Sequence, residues 1–241
     1  MKNATENHKK VARKVISRSK SAYSVDMRRR IASIILLAAL LPVLSACRQE
    51  DYTEHISEVR RDIFCAQTED FTLTLSCTSR EYPYADDGIA CPMSDLIEVT
   101  LTPAVSPAGD VLVYAADESW GGEASFSAVH GDYRFSQGVD TFPAGSVDLR
   151  IAWGERTYEV AATSVRTEET LSPEAALAVL TESESETLTR MRKEGVFCGE
   201  FRVRLLRREQ NYYYVAVTDG EEQIALLIDA QTGEILAHRA T

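Results

Sequence analysis

Cys47 is the residue with the most chemistry around it. Its thiol follows Leu44-Ser45-Ala46 at the end of an apolar run. A thiol is the most nucleophilic of the ordinary side chains near neutral pH, and small neighbours leave the backbone open to an enzyme. That combination suits covalent modification of the sulfur. The other residues able to do chemistry are dispersed. Cys65, Cys77, Cys91 and Cys198 lie far apart and none belongs to a CxxC pair, which excludes the usual zinc spacing. His55, His130 and His238 are scattered, and each reads as a surface or packed histidine. Neither Gly-x-Ser-x-Gly nor His-Glu-x-x-His occurs. No catalytic residue, no metal and no cofactor is expected, and the chain reads as a non-enzyme.

Arg28-Arg29-Arg30 precedes the apolar run, which extends from Ile31 to Ala46 and contains Pro42. A membrane-spanning helix needs about 20 apolar residues, so this shorter run reads as an export signal. Met27 followed by three arginines would make a complete signal start. The order Leu44-Ser45-Ala46-Cys47 resembles the lipobox of bacterial lipoproteins. The resemblance implies a diacylglyceryl group on the Cys47 sulfur, cleavage before that residue, and anchorage by acyl chains such as palmitate. The alternative is an ordinary cleaved signal or a short signal anchor. The expected location is the membrane, lipid-anchored and facing outside the cytoplasm, at the cell surface or in the periplasm.

Ten of the 26 Lys+Arg and two of the 37 Asp+Glu precede Cys47, so the chain beyond it carries a net charge of about −19. Such a surface repels phosphate backbones and anionic lipid headgroups, which argues against nucleic-acid binding. It leaves the acyl chains as the membrane link. An exported chain permits disulfides. Cys77 and Cys91 flank a turn-rich loop and are the first candidates for a bridge.

Behind these residues stand the elements that must position them. Tyr52, Ile56, Val59 and Ile63 recur at helical spacing and predict a tether helix over 50–66. From 67 to 166 the period changes to two. Phe71–Cys77, Ile97–Leu101, Val111–Val113, Ala124–Phe126, Tyr133–Phe135, Val147–Trp153 and Tyr158–Ala162 read as strands separated by turns. Their number and spacing predict an antiparallel β-sandwich of immunoglobulin-like architecture. The loop Glu81-Tyr82-Pro83-Tyr84-Ala85-Asp86-Asp87-Gly88 mixes aromatics with carboxylates but lacks the EF-hand spacing for calcium. Tyr82, Tyr84 and Trp120 are the candidate partner contacts. Trp120 has a second reading, as a lid folded over the core.

Ser172-Pro173-Glu174 carries the marks of a helix start: N-cap, N1 proline and first-turn acid. Strands are predicted over Phe197–Leu206, Tyr212–Thr218, Gln223–Ile228 and Glu234–His238. Leu171-Ser172-Pro173-Glu174-Ala175-Ala176-Leu177, Tyr213–Gly220 and Leu227–Leu236 with its Asp229-Ala230-Gln231-Thr232-Gly233-Glu234 turn resemble the PepSY domain. The resemblance implies a helix-plus-antiparallel-sheet module over 171–241, and peptidase inhibition or peptide binding.

The expected fold class is therefore α+β: an N-terminal helix, a sandwich, then the PepSY-like module. The segments are a signal region over 1–46, a lipidated Cys47 and tether over 47–66, the sandwich over 67–166 and the module over 171–241. The expected function is non-enzymatic binding of a protein or peptide partner in the envelope, with restraint of a peptidase as one form. The alternative is a structural or assembly component of an envelope complex.

Overall fold

Between Ile56 and Gln67 the chain runs as a strand, β1, and not as the helix expected over 50–66. Only Tyr52–His55 is helical, as a single 3-10 turn. The four-three-four stripe survives, but in a bulged strand. Phe64, on the face a helix would leave polar, is fully buried. Ile56, Val59, Ile63 and Phe64 are β-branched or aromatic, the types that suit a pleated surface.

The computed structural model describes residues 51–81, 91–104 and 109–241. Seven strands follow β1: β2 (Phe71–Glu81), β3 (Met93–Pro103), β4 (Val111–Ala115), β5 (Gly121–Ser127), β6 (Asp132–Gly138), β7 (Ser146–Trp153) and β8 (Arg156–Ser164). Then come helices α1 (Pro173–Ser183) and α2 (Ser185–Arg190) and a small ribbon of β9 (Arg192–Lys193) and β10 (Val196–Phe197). The chain finishes with β11 (Glu200–Arg207), β12 (Asn211–Thr218), β13 (Gln223–Asp229) and β14 (Ile235–Ala240).

The first eight strands lie in the order β1-β2-β3-β6-β5-β4-β7-β8, and β8 returns to β1 through Phe64↔Ser164 and Cys65↔Thr163. This closed antiparallel barrel corrects the expected sandwich. The β4-β5-β6 meander lies in reverse order between β3 and β7, a Greek-key path. An alternating strand buries one face in a sandwich and in a barrel alike. Closure depends on β1, the one strand whose pattern imitates a helix. Nineteen buried residues fill the interior, among them Phe64, Leu75, Leu101, Ile151 and Trp153. Eight strands leave an interior that side chains can fill, so the barrel is a core.

The same strand carries the sheet onward. Through Ile56–Arg60, β1 pairs in parallel with β11, and β12, β13 and β14 follow. One sheet of twelve strands results. Residues 171–241 are thus not a separate helix-and-sheet module, which also corrects the expected fold class. Tyr52–Thr241 pack as one unit. Helix α1 lies over β11 and β12, and Ala176, Leu177 and Leu180 meet Phe201, Val203, Tyr213 and Val215 in a second core. The Ser172 hydroxyl accepts the Ala175 N–H at 3.1 Å, and Pro173 occupies the first turn. The Asp229 carboxylate accepts N–H bonds from Gln231 and Thr232, each at 2.9 Å, which holds its pKa below the usual range. Gly233 takes the left-handed φ of 76° that this turn needs.

Arg61 is the extra residue of a bulge in β1, where the register with β2 shifts between Arg60 and Asp62. Above it, Val59 stands beside Val203 and belongs to the second core. Below it, Ile63 faces the second core and Phe64 the barrel interior. The bulge is held by polar groups. Arg166 donates to the Arg61 carbonyl at 3.1 Å, the Tyr213 hydroxyl at 2.8 Å and the Leu171 carbonyl at 3.0 Å. The Asp62 carboxylate accepts from the Ile63 N–H at 2.7 Å and the Ser164 hydroxyl at 2.8 Å. Burial raises the Asp62 pKa despite these bonds and nearby Arg166.

Two outcomes are expected. Arg166→Ala strips donors from several part-buried acceptors and should lower the unfolding free energy by about 2–4 kcal/mol, read from the urea midpoint. A carboxyl with a raised folded pKa adds stability below its unfolded value of about 3.9 and loses it as pH rises through the folded pKa. Asp62→Asn keeps the acceptor oxygen. The difference in stability between wild type and this variant should therefore fall as pH rises from about 4 and level off above the folded pKa.

Candidate functional site

The face of β1 and β11 turned away from α1 gathers charges that neither core accepts. Across the parallel pair, Glu58 stands beside Arg202 and Arg60 beside Arg204. On the other side, Glu58 faces Arg80 and Arg60 faces Thr78 of β2. Neighbouring strands are about 4.8 Å apart. Arg60, Arg80, Arg202 and Arg204 thus share a block three strands wide, with the Glu58 carboxylate among them and Glu200 two residues before Arg202 on the same strand.

Glu58, 8% exposed, is fully engaged. Arg204 grips it with both arms of the guanidinium, Nε to Oε1 at 2.5 Å and Nη2 to Oε2 at 2.6 Å. This hydrogen bonding raises the Arg204 pKa. Arg60 is placed differently. Its Nε is out of solvent with no hydrogen-bond partner. Burial, and to a smaller degree Arg204, lowers its pKa, while Glu98 and Glu58 act on it as opposing charges. Burial followed by the charge of Arg204 also lowers that of Arg202. Glu98 accepts the Thr78 hydroxyl at 3.0 Å. Leu206, Tyr212, Tyr214 and Leu227 adjoin the block in register, all half-buried. The block can hold an anion beside an apolar strip.

The other available surface is the sheet edge. β14 ends the sheet, and all its residues are exposed, Ile235 at 40% and Leu236 at 45%. Gln223 and Thr241 exchange both backbone bonds at 2.9 Å. By antiparallel alternation, Arg239 turns its N–H and C=O toward β13, while His238 and Ala240 turn theirs to the open edge. The side chain of His238 meets Glu184 at 3.2 Å.

The residues expected from sequence do not converge. Cys47, Tyr82 and Tyr84, with Asp86 and Asp87, lie outside the described residues. Cys77 and Cys91 are free thiols, which corrects the expected bridge. Cys77 faces Ile97 inside the barrel, whereas the Cys91 N–H donates to Glu81 at 2.9 Å, four residues further along β2. At about 3.3 Å per residue that separation exceeds the reach of a disulfide. Burial pushes the Cys77 thiol up to about 12. Trp120 is 7% exposed and stacks on Phe135 at 6.2 Å, so it closes the barrel instead of meeting a partner. Among the described residues, no three His, Cys, Asp or Glu side chains group to hold a metal. No described helix is long and apolar enough to cross a membrane. A groove lined by Cys65, Arg207, Asn211 and Asp229 lies near the barrel closure, where Asn211 donates to the Val165 carbonyl at 2.6 Å.

No family model, no curated protein and no solved structure matches this chain.

Sequence alone does not assemble the arginine block, because its members sit on three strands that meet only in the fold. Arg202 and Arg204 alternate with Phe201, Val203 and Leu205, a legible signal. Arg60 was hidden on the polar side of the expected helix. The block carries a stability signature. Glu58→Ala removes the carboxylate that Arg204 grips with two bonds and should cost about 3–5 kcal/mol. Arg60→Met removes a part-buried charge beside Arg204 and should leave stability unchanged or raise it by up to about 1 kcal/mol. Urea unfolding of both variants checks the contrast.

Proposed function

We propose that this chain is a lipid-anchored extracytoplasmic protein that binds a protein or peptide partner of the cell envelope without catalysing a reaction. Leu44-Ser45-Ala46-Cys47 supports the anchor, with acyl chains on Cys47 as the membrane link. The binding reading is carried by the open edge of β14, which ends the twelve-stranded sheet with backbone groups of His238 and Ala240 turned outward. An extended segment of a partner can add there as a further strand, gaining main-chain hydrogen bonds and packing on Ile235 and Leu236. The PepSY-like resemblance of 171–241 makes a peptidase the partner class to test first.

The anchor and the edge are tested separately. Cys47→Ser should move the protein out of the membrane fraction, and unchanged retention overturns lipidation. The full-length chain, recovered from intact membranes after crosslinking, should carry a defined envelope partner. His238→Pro removes an outward N–H without breaking the β13 ladder, and should abolish that recovery. His238→Ala loses only the imidazole and its contact with Glu184, so recovery should persist. Equal recovery with all three forms overturns strand addition. A peptidase partner should be slowed at stoichiometric ratios.

A further inference from the structure

We propose that the groove between the end of β8 and the β11–β12 hairpin is a binding site for a short zwitterionic peptide, with its carboxylate on Arg207 and its amino group on Glu209. None of the residues lining this groove belongs to β14, so the site goes beyond the reading above.

The groove exists because the sheet forks. β1 pairs with β11 as far as Arg60↔Arg204, then passes its bulge and joins β8 at Phe64↔Ser164 and Cys65↔Thr163. Beyond Arg204, β11 keeps β12 on one side and has no strand on the other. The gap beside this fork is a cavity of about 420 Å³, a size that suits a small ligand. Asn211, at the start of β12, donates to the Val165 carbonyl just after β8 at 2.6 Å and so ties the two branches together.

The lining carries both signs of charge without pairing them. Its charged side chains, among the described residues, are Arg207, Glu209 and Asp229. Asp229 is taken up by its own turn, through the Gln231 and Thr232 N–H groups and the Gln210 amide at 3.1 Å. Arg207 donates to the Asn211 Oδ1 at 3.1 Å, and among the described residues it makes no ion pair. Glu209, two residues further along the same hairpin, accepts no hydrogen bond among them. A guanidinium and a carboxylate thus line one cavity and leave each other unpaired. A bare anion meets Glu209 there and a bare cation meets Arg207, whereas a ligand with one charge of each sign suits both. The guanidinium fork matches a carboxylate in particular.

The rest of the lining favours a peptide between the charged ends. Asn211 is 8% exposed, and both ends of its amide are already held, so it needs little ordering on binding. Thr163 and Gln231 add neutral donors and acceptors, which match a peptide bond. Cys65 is half-buried, and burial pushes its pKa up, so it lines the groove as a neutral and weakly polar thiol.

The test uses the full chain purified in detergent and the dipeptide Ala-Ala, read by isothermal titration calorimetry. Ala-Ala should bind, and binding should weaken as salt rises, because Arg207 and Glu209 are exposed. N-acetyl-Ala-Ala lacks the ammonium and Ala-Ala amide lacks the carboxylate, and each should bind about tenfold more weakly. Arg207→Met should weaken Ala-Ala by about tenfold and erase its advantage over the amide, and Arg207→Lys should weaken it by less, since it keeps the charge but loses the fork. Glu209→Gln should erase the advantage over the acetylated form. An unfolded variant loses every ligand, so the preference that each variant retains for the end it still recognises reports the site. Arg150→Met, on the barrel wall, should change nothing. No binding of Ala-Ala at millimolar concentration overturns the site, as does equal binding of the three peptides or unchanged affinity in both Arg207→Met and Glu209→Gln. Displacement of Ala-Ala by equimolar inorganic phosphate overturns the zwitterion in favour of a bare anion. The assay involves neither anchor nor edge. If Ala-Ala fails while His238→Pro still abolishes partner recovery, the groove falls and the binding function stands. If Ala-Ala binds and no partner is recovered, the reverse holds.

Discussion

One extra residue in one strand sets the shape of this protein. Arg61 breaks the alternation of β1, so that one strand can serve two cores. Below the bulge β1 meets β8 and closes a barrel, and above it β1 meets β11 and begins a second sheet. A bulge leaves backbone groups without ladder partners, and such groups must be satisfied when buried. Arg166 and the Asp62 carboxylate satisfy them here, and the Ser164 hydroxyl in turn holds that carboxylate. Arg166 also ties the segment between β8 and α1 to Tyr213, at the base of the second core. The joint is therefore cross-braced from three parts of the chain, and neither core is complete without it.

The joint also decides what the outer face can present. Because β1 pairs in parallel with β11, Glu58 and Arg60 lie level with Arg202 and Arg204. An antiparallel pairing, or a register shifted by one, would turn one pair inward or separate the charges. The candidate site is thus a product of topology. It unites residues about 140 positions apart that have no relation along the sequence.

Local patterns were legible in the sequence, and long-range closure was not. All seven strands expected between Phe71 and Ala162 are present, because each alternates clearly and ends in turn residues. Ser172, Asp229 and Gly233 play the local roles that their types suggest. β1 was misread because a bulge shifts the apolar period from two toward the helical value, and the barrel was lost with it. The Cys77–Cys91 bridge failed for a related reason. Proximity across a loop says nothing of register, and β2 runs on to Glu81 before the chain turns. At the candidate site, the alternation of Arg202 and Arg204 was visible, but its partner strand was not.

The rest of the outer face shows what this fold uses where solvent is the only neighbour. On β2 and β3, Thr72 faces Thr102 and Thr74 faces Thr100. Such pairs keep a sheet face wet, suit a pleated backbone and sacrifice little side-chain entropy. One strand away the pattern changes to arginine beside arginine, with half-buried side chains. Glu58 is gripped by Arg204 through two bonds and acts as an opposing charge on Arg60 and Arg202 as well. The charged face therefore depends on the buried carboxylate of Glu58, whereas the threonine pairs rest on their own suitability for a pleated surface.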